Sequence, residues 1–223
     1  MRAQVQRGKL LLAAASLALG LHAQQPSPSA QNALELAQRV DQHYNHLHSL
    51  KADFSERYQG LGVERSEHGT LYLLKPGRMR WDYSYPAGKI FLLDGKYAWF
   101  YTRGTPQVQR IPAKELDDLR SPLRFLLGHT QLAREMNHLS LSTAADGEYT
   151  LTGQPKGQEA RVARLSLTVT AGGTITAIDI EETDGALTHF TFSGEQPNAA
   201  ISAGEFHFTP PPGVPVIDSQ PPV

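Results

Sequence analysis

Three of the chain's nine histidines, His43, His46 and His48, lie close together, and His43 and His46 share one face if the segment is helical. Such spacing raises the question of a metal. A zinc centre needs three or four converging ligands, often with carboxylate or cysteine help. The chain has no HExxH or comparable arrangement and no cysteine, so these side chains read as the polar face of a helix and no metal is expected. Two carboxylate pairs, Asp117/Asp118 and Glu181/Glu182, are the next candidates, for acid–base chemistry. Neighbouring side chains on a strand point to opposite faces, so Glu181 and Glu182 do not make one acid–base pair. Asp117 and Asp118 sit in a charged stretch and read as solvated. A GxSxG elbow, a phosphate-cradling glycine loop and a nucleophilic cysteine are all missing from the sequence. The expectation is a protein that is not an enzyme and takes no cofactor.

The sequence instead concentrates apolar and aromatic side chains on strand-like segments. Met79, Trp81 and Tyr83 alternate along MRWDY, with Arg80 and Asp82 on the other face, and Leu71 and Leu73 share a strand face. In GKIFLLDGKYAWFY, residues 88–101, two apolar runs flank an Asp-Gly, a strong hairpin signal. Neither run alternates, which raises the question of what covers the second face of this hairpin. From the pattern alone, an ordinary packed core and a hydrophobic cavity for a lipid-like ligand both remain open.

The elements that hold these strands follow from periodicity. Leu34, Ala37, Val40, Tyr44 and Leu47 recur every three to four residues, predicting an amphipathic helix, and Asn32 with Glu35 resembles a capping box that would start it. From Leu50 onward strands alternate with turns at Asp94-Gly95, Asp146-Gly147, Gly172-Gly173 and Asp184-Gly185, which suggests one antiparallel meander. Pro112 to Gly128 breaks the series with helical pieces, Ser121 as N-cap, Pro122 in the first turn and Gly128 as the stop. Phe206 and Phe208 are expected on one strand face, and the prolines after them exclude a central strand. The predicted class is mainly β (α+β). A strongly twisted antiparallel sheet of about ten strands curls, giving an unclosed barrel with the helices over its open side.

The N-terminus has Arg2, Arg7 and Lys9, then an apolar run from Leu10 to Leu21, then His22 and Ala23. This is the pattern of a secretory signal peptide, too short for a membrane span. Its removal takes three positive charges from a chain with 21 basic and 22 acidic residues, leaving a net charge of −4. No basic block suggests nucleic acid. The expected organisation is a signal peptide over 1–23, a disordered leader over 24–31, one domain over 32–217 and a flexible tail over 218–223.

In order, LYLLKPGRMRWDYSYP, IFLLDGKYAWFY, Gln107-Val108, SPLRFLLG and FHFTPPPGV resemble the periplasmic lipoprotein carrier family LolA, from about Asn32 to about Ile217. The resemblance implies an unclosed antiparallel barrel with helices as a lid over a hydrophobic cavity. It implies a soluble, monomeric periplasmic chaperone that takes the acyl chains of lipoproteins released by the inner-membrane ABC transporter LolCDE and delivers them to the outer membrane, through an acceptor such as LolB. LolB shares the fold but is itself a lipoprotein, and the lack of cysteine favours the unlipidated carrier. Met79 and Trp81 fall where the family has apolar residues close to the cavity, and Leu71, Leu73, Ile90, Leu92 and Trp99 are placed along its wall by alternation. Leu123, Leu126 and Leu127 fall in the lid segment. The family has an arginine before the turn proline that bonds to lid backbone; here Lys75 takes that place as lid latch, with Arg78 or Arg80 as substitutes. A carrier of another envelope lipid or glycolipid on the same fold is the alternative. A lipoprotein sensor is a third reading, and a hydrolase a fourth.

Overall fold

The computed structural model describes residues 28–114, 131–143 and 148–218. The signal peptide, Asp117/Asp118, Asp146-Gly147 and the expected lid residues Leu123, Leu126 and Leu127 lie outside the described residues. The chain opens with α1 (Pro28–His46) and continues through β1 (Ser49–Gly60), β2 (Val63–Leu74), β3 (Arg78–Tyr85), β4 (Lys89–Leu93), β5 (Tyr97–Thr102) and β6 (Val108–Pro112). After a one-turn helix α2 (Leu132–Glu135) come β7 (Met136–Thr143), β8 (Tyr149–Pro155), β9 (Val162–Val169), β10 (Ile175–Glu182), β11 (Leu187–Pro197), a 3-10 turn at Ala203–Phe206 and β12 (Val216–Asp218).

All twelve strands form one curved, unclosed sheet in the order β12-β6-β5-β4-β3-β2-β1-β11-β10-β9-β8-β7. It is not the single meander expected. Two meanders, β1–β6 and β7–β11, meet where β1 pairs with β11, from Leu50 opposite Pro197 to Gln59 opposite Leu187. The chain therefore leaves the β6 end of the sheet and re-enters at the opposite edge. β12 runs parallel to β6 as an edge strand, the position open to a segment that follows four closely spaced prolines.

α1 starts at Pro28, four residues before the expected cap at Asn32, so 28–31 belong to the helix and not to the leader. A proline is well suited to a first helical turn because its φ is already helical. The buried stripe is Ala33, Leu36, Ala37, Val40 and Tyr44, continued by Leu47 just past the helix end; Leu34 is exposed. Helical positions spaced three apart precess around the axis, which carries Leu34 off the stripe. α1 lies against β7 and β8, and it comes so close to the β9–β10 turn that a Cβ on Gly173 would sit 2.6 Å from the Arg39 carbonyl carbon.

Under α1, β9 and β10 read as half-buried strands should. Leu165, Leu167, Val169, Ile175 and Ile178 face inward, while Ser166 and Thr168 face out. These side chains join the α1 stripe, Phe54, Leu71, Met79 and Trp81 in one continuous apolar core.

Candidate ligand wall and its helix anchors

β2, β3 and β4 set the wall by their register. Leu73 pairs with Met79 and Leu71 with Trp81, and Met79 in turn pairs with Leu93 and Trp81 with Phe91. The inward set on the hairpin is therefore Phe91, Leu93, Ala98 and Phe100, since Phe91 pairs with Phe100 and Leu93 with Ala98. Leu71, Leu73, Met79 and Trp81 lie on the inner face. Ile90, Leu92 and Trp99 share the opposite, outer face, together with Arg80 and Tyr101. Alternation within one strand does not fix which half faces inward, and a shift of one residue exchanges the faces.

The hairpin explains its own register. Asp94 and Tyr97 close it (Asp94 N to Tyr97 O, 3.0 Å), with Gly95 at φ 94° as the first of two central residues. The Asp94 carboxylate then accepts from the N–H of Lys96 (2.7 Å), the N–H of Tyr97 (2.6 Å) and the Trp99 indole (2.7 Å). Burial alone would raise this carboxyl, but these hydrogen bonds, aided by the Lys96 charge, hold it below its ordinary range. Trp99 is thus bound outward.

The outer face is partly covered as well, with Leu92 buried and Ile90, Trp99 and Tyr101 half-buried. The C-terminal segment crosses it: Phe208 lies 5.6 Å from the Trp99 ring and 5.9 Å from Tyr101, and Phe206 is buried. Arg80 donates to the carbonyl of Glu205 (2.7 Å) and to Asp82 (2.9 Å), and Arg110 grips Asp218 of β12 through two bonds of 2.7 and 3.0 Å. Phe206 therefore ends a 3-10 turn instead of lying on a strand with Phe208, and Asp218 is fastened to the fold. This double covering is why the hairpin is apolar on both sides.

Trp81 is the centre of the wall. Phe54 meets it edge-on at 4.5 Å, Phe190 at 5.7 Å and Phe192 at 6.3 Å, and Phe91 and Phe100 form a second pair at 4.8 Å. Sequence reasoning missed Phe54, Phe91, Phe100, Phe190 and Phe192, although HFTF carries the last two at the period of a strand face.

Toward the β1–β2 turn the same inner face becomes charged. Glu67 is 3% exposed, pairs with Lys89 and meets Arg65 at 3.1 Å. Glu56, opposite Glu67 in the ladder, is 3.8 Å from Arg65. Lys89 lies 4.3 Å above the Tyr83 ring and Arg65 5.1 Å above Tyr58. Burial first, and the Glu67 charge second, push the Glu56 carboxyl up against the pull of Lys89 and Arg65.

At the other end of the wall α1 is anchored twice. Lys75 Nζ donates to the carbonyls of Tyr44 (2.6 Å) and Asn45 (2.9 Å), two of the groups a helix C-terminus leaves without intrahelical partners. Burial lowers its pKa. Arg80 is committed on the outer face, and Arg78 shares that face by alternation, so of the three candidate latch cations Lys75 is the one bonded to α1. The second anchor is a side-chain network. The Tyr44 hydroxyl accepts from the Ile175 N–H (3.0 Å) and donates to Glu195 (3.1 Å), whose other oxygen is 2.6 Å from His43 Nε2. Burial, then the Glu195 charge, hold the Tyr44 phenol far above its ordinary range. His43 is thereby engaged by a carboxylate and His46 by the Gln42 carbonyl at 2.7 Å.

Residues 45–209, most of the sheet, match the family described as outer membrane lipoprotein carrier protein LolA. The chain belongs to the LolA family. Relatives named outer-membrane lipoprotein carrier protein occur in Pectobacterium carotovorum, 31% identical over 79% of this chain and 84% of its own length, and in Chromobacterium violaceum, 27% identical over 77% and 82%. Among solved structures, an uncharacterized conserved protein of Thermus thermophilus superposes with a TM-score of 0.54 at 14% identity, over 85% of this chain and all of the other. The lipoprotein LppX of Mycobacterium tuberculosis gives 0.51 at 14% identity, over 78% of this chain and all of the other. These two establish a shared fold. LolA membership agrees with the unclosed sheet and inner apolar wall described above. Among the described residues no helix is long and apolar enough to cross a membrane.

Proposed function

We infer that this LolA-family chain is a periplasmic chaperone that carries lipoproteins from the inner to the outer membrane, holding their acyl chains against the wall built by Leu71, Leu73, Met79, Trp81, Phe91 and Phe100. The observation that carries this reading is the wall itself: an aromatic and Met-containing surface on the concave side of a family member whose relatives are named for lipoprotein carriage. Chemistry at a bond is not part of the task. Burying a methylene is worth about 0.8 kcal/mol, so three chains of some fifteen methylenes represent roughly 36 kcal/mol as an upper bound. Free passage through water is negligible, and a carrier must replace most of that burial.

In the present state the wall shares one packed core with α1. Cargo enters by displacing the cover, and Lys75 is the latch. Its two hydrogen bonds to the α1 carbonyls are broken and remade without disturbing the sheet. An ammonium lacks the planar fork of a guanidinium, so this latch is less rigidly oriented than an arginine would be. Loading and release then become a shift between covered and open states. An ABC transporter of the LolCDE type supplies the cargo, and LolB or an equivalent acceptor receives it.

The test is release from spheroplasts holding a newly made, labelled outer-membrane lipoprotein, with the matched transporter present. Label in the soluble fraction, bound to this protein and dependent on ATP, is the expected result. No release under those conditions contradicts the lipoprotein reading, and lipid extraction of the purified protein then shows whether another envelope lipid is the cargo.

A further inference from the structure

The inner face changes character once. Along β2 it presents Leu73, Leu71 and Gly69, and then Glu67. Glu67 is the one charged side chain among the buried polar residues of the described chain, the others being Ser49 and Gln158. It is held by Lys89 from β4 and by Arg65. Stability does not explain its presence, because replacing a buried ion pair by packed apolar side chains is often neutral or stabilising. Position does. The group stands where the apolar wall ends, across the path that an acyl chain lying along β2 would take.

We propose that the Glu67–Lys89 pair is the end stop of the acyl-binding wall and sets the length of chain the protein holds. The inference rests on the carrier reading above. From Leu73 to Glu67 is six residues of strand, about 20 Å at the usual rise. A saturated chain advances roughly 1.25 Å per bond, so the apolar stretch matches an acyl chain of about sixteen carbons. Each methylene that lands on the wall strengthens binding about fourfold. A methylene pushed against the paired ions gains nothing, since it would have to strip partners or water from charged groups. Glu56 stands beside Glu67 in the ladder and Arg65 two residues further along β2, and both reinforce the same limit.

The experiment measures binding of single-chain acylcarnitines, from about twelve to about twenty carbons, to the mature protein by displacement of an apolar dye. The wild type is expected to gain roughly fourfold per methylene and to level off near sixteen carbons. In Glu67→Leu/Lys89→Leu, which lengthens the apolar face without changing net charge, the plateau moves at least two carbons longer while the shortest ligand binds as before. Circular dichroism checks the fold. Should that variant not fold, the near-isosteric Glu67→Gln/Lys89→Met is read in the same way, with a smaller shift in the same direction. A wild type whose affinity keeps rising through the series, or folded variants with the wild-type plateau, overturns the end stop and leaves the carrier reading standing. A wild type that binds no chain of any length overturns both.

Discussion

The inner face of this sheet has two halves built from different side chains. Under α1, β8 to β10 present Leu151, Leu165, Leu167, Val169, Ile175 and Ile178, all fully buried. Across the concave side, β3 to β5 present Met79, Trp81, Tyr83, Phe91 and Phe100 beside the smaller Leu93 and Ala98, and of these Tyr83, Phe91 and Phe100 keep partial exposure. The first half is aliphatic and partly β-branched, with few rotamers to choose from. It supports α1. The second half is aromatic with a methionine, side chains that offer large area and can repack against changing partners. One half is therefore a support and the other a surface for guests. The two anchors of α1 divide along the same line: a buried Tyr44–Glu195–Ile175 network on the supporting side, and a single partly exposed lysine beside the wall.

Mutations should separate the halves. Ile178→Ala removes fully buried volume from the packed core and is expected to cost about 2–5 kcal/mol in denaturant unfolding; a loss below 1 kcal/mol would erase the distinction between support and wall. Met79→Glu is expected to reduce cargo release by at least tenfold while the protein still folds, because an acid in an apolar setting protonates instead of staying charged. Release at the wild-type level would take Met79 off the wall. Lys75→Leu should leave uptake near normal and change delivery to the acceptor by a few-fold; if uptake and delivery move together, or neither moves, Lys75 is not the latch.

The smallest effect belongs to the charged end. Glu56 has its pKa raised in the fold, so between its ordinary range and that raised value the folded chain holds more protons than the unfolded one. Stability from this group is present at low pH and lost as pH rises through the folded pKa. Glu56→Gln is therefore expected to melt above the wild type at pH 7, with the gap closing toward pH 4, in a thermal scan across pH. A variant that is less stable at pH 7 would contradict the sign.

Much of this was legible in the sequence where one face of an element is wet. The β9 and β10 alternation follows from a single covered side, and Met79-Trp81-Tyr83 against Arg80-Asp82 is as plain because the other face of that strand is charged. The hairpin over 89–102 is different. Its outer face is partly covered by the C-terminal segment, so Ile90 and Leu92 are as apolar as Phe91 and Leu93, and only the cross-strand register Met79–Leu93 decides which pair faces in. The charged end was hidden for another reason. Glu56 and Glu67 become neighbours through the β1–β2 ladder, and Lys89 arrives from a third strand. The Tyr44–Glu195 contact spans 151 residues and leaves no local pattern.

The most direct test of the account is photo-crosslinking from two adjacent positions of β4. A photoreactive phenylalanine analogue at Phe91 faces the wall, and the same group at Ile90 faces outward. During lipoprotein release, an adduct with the cargo is expected from position 91 and not from position 90. An adduct from position 90, or none from position 91 while release proceeds, would show that cargo does not lie on the inner face.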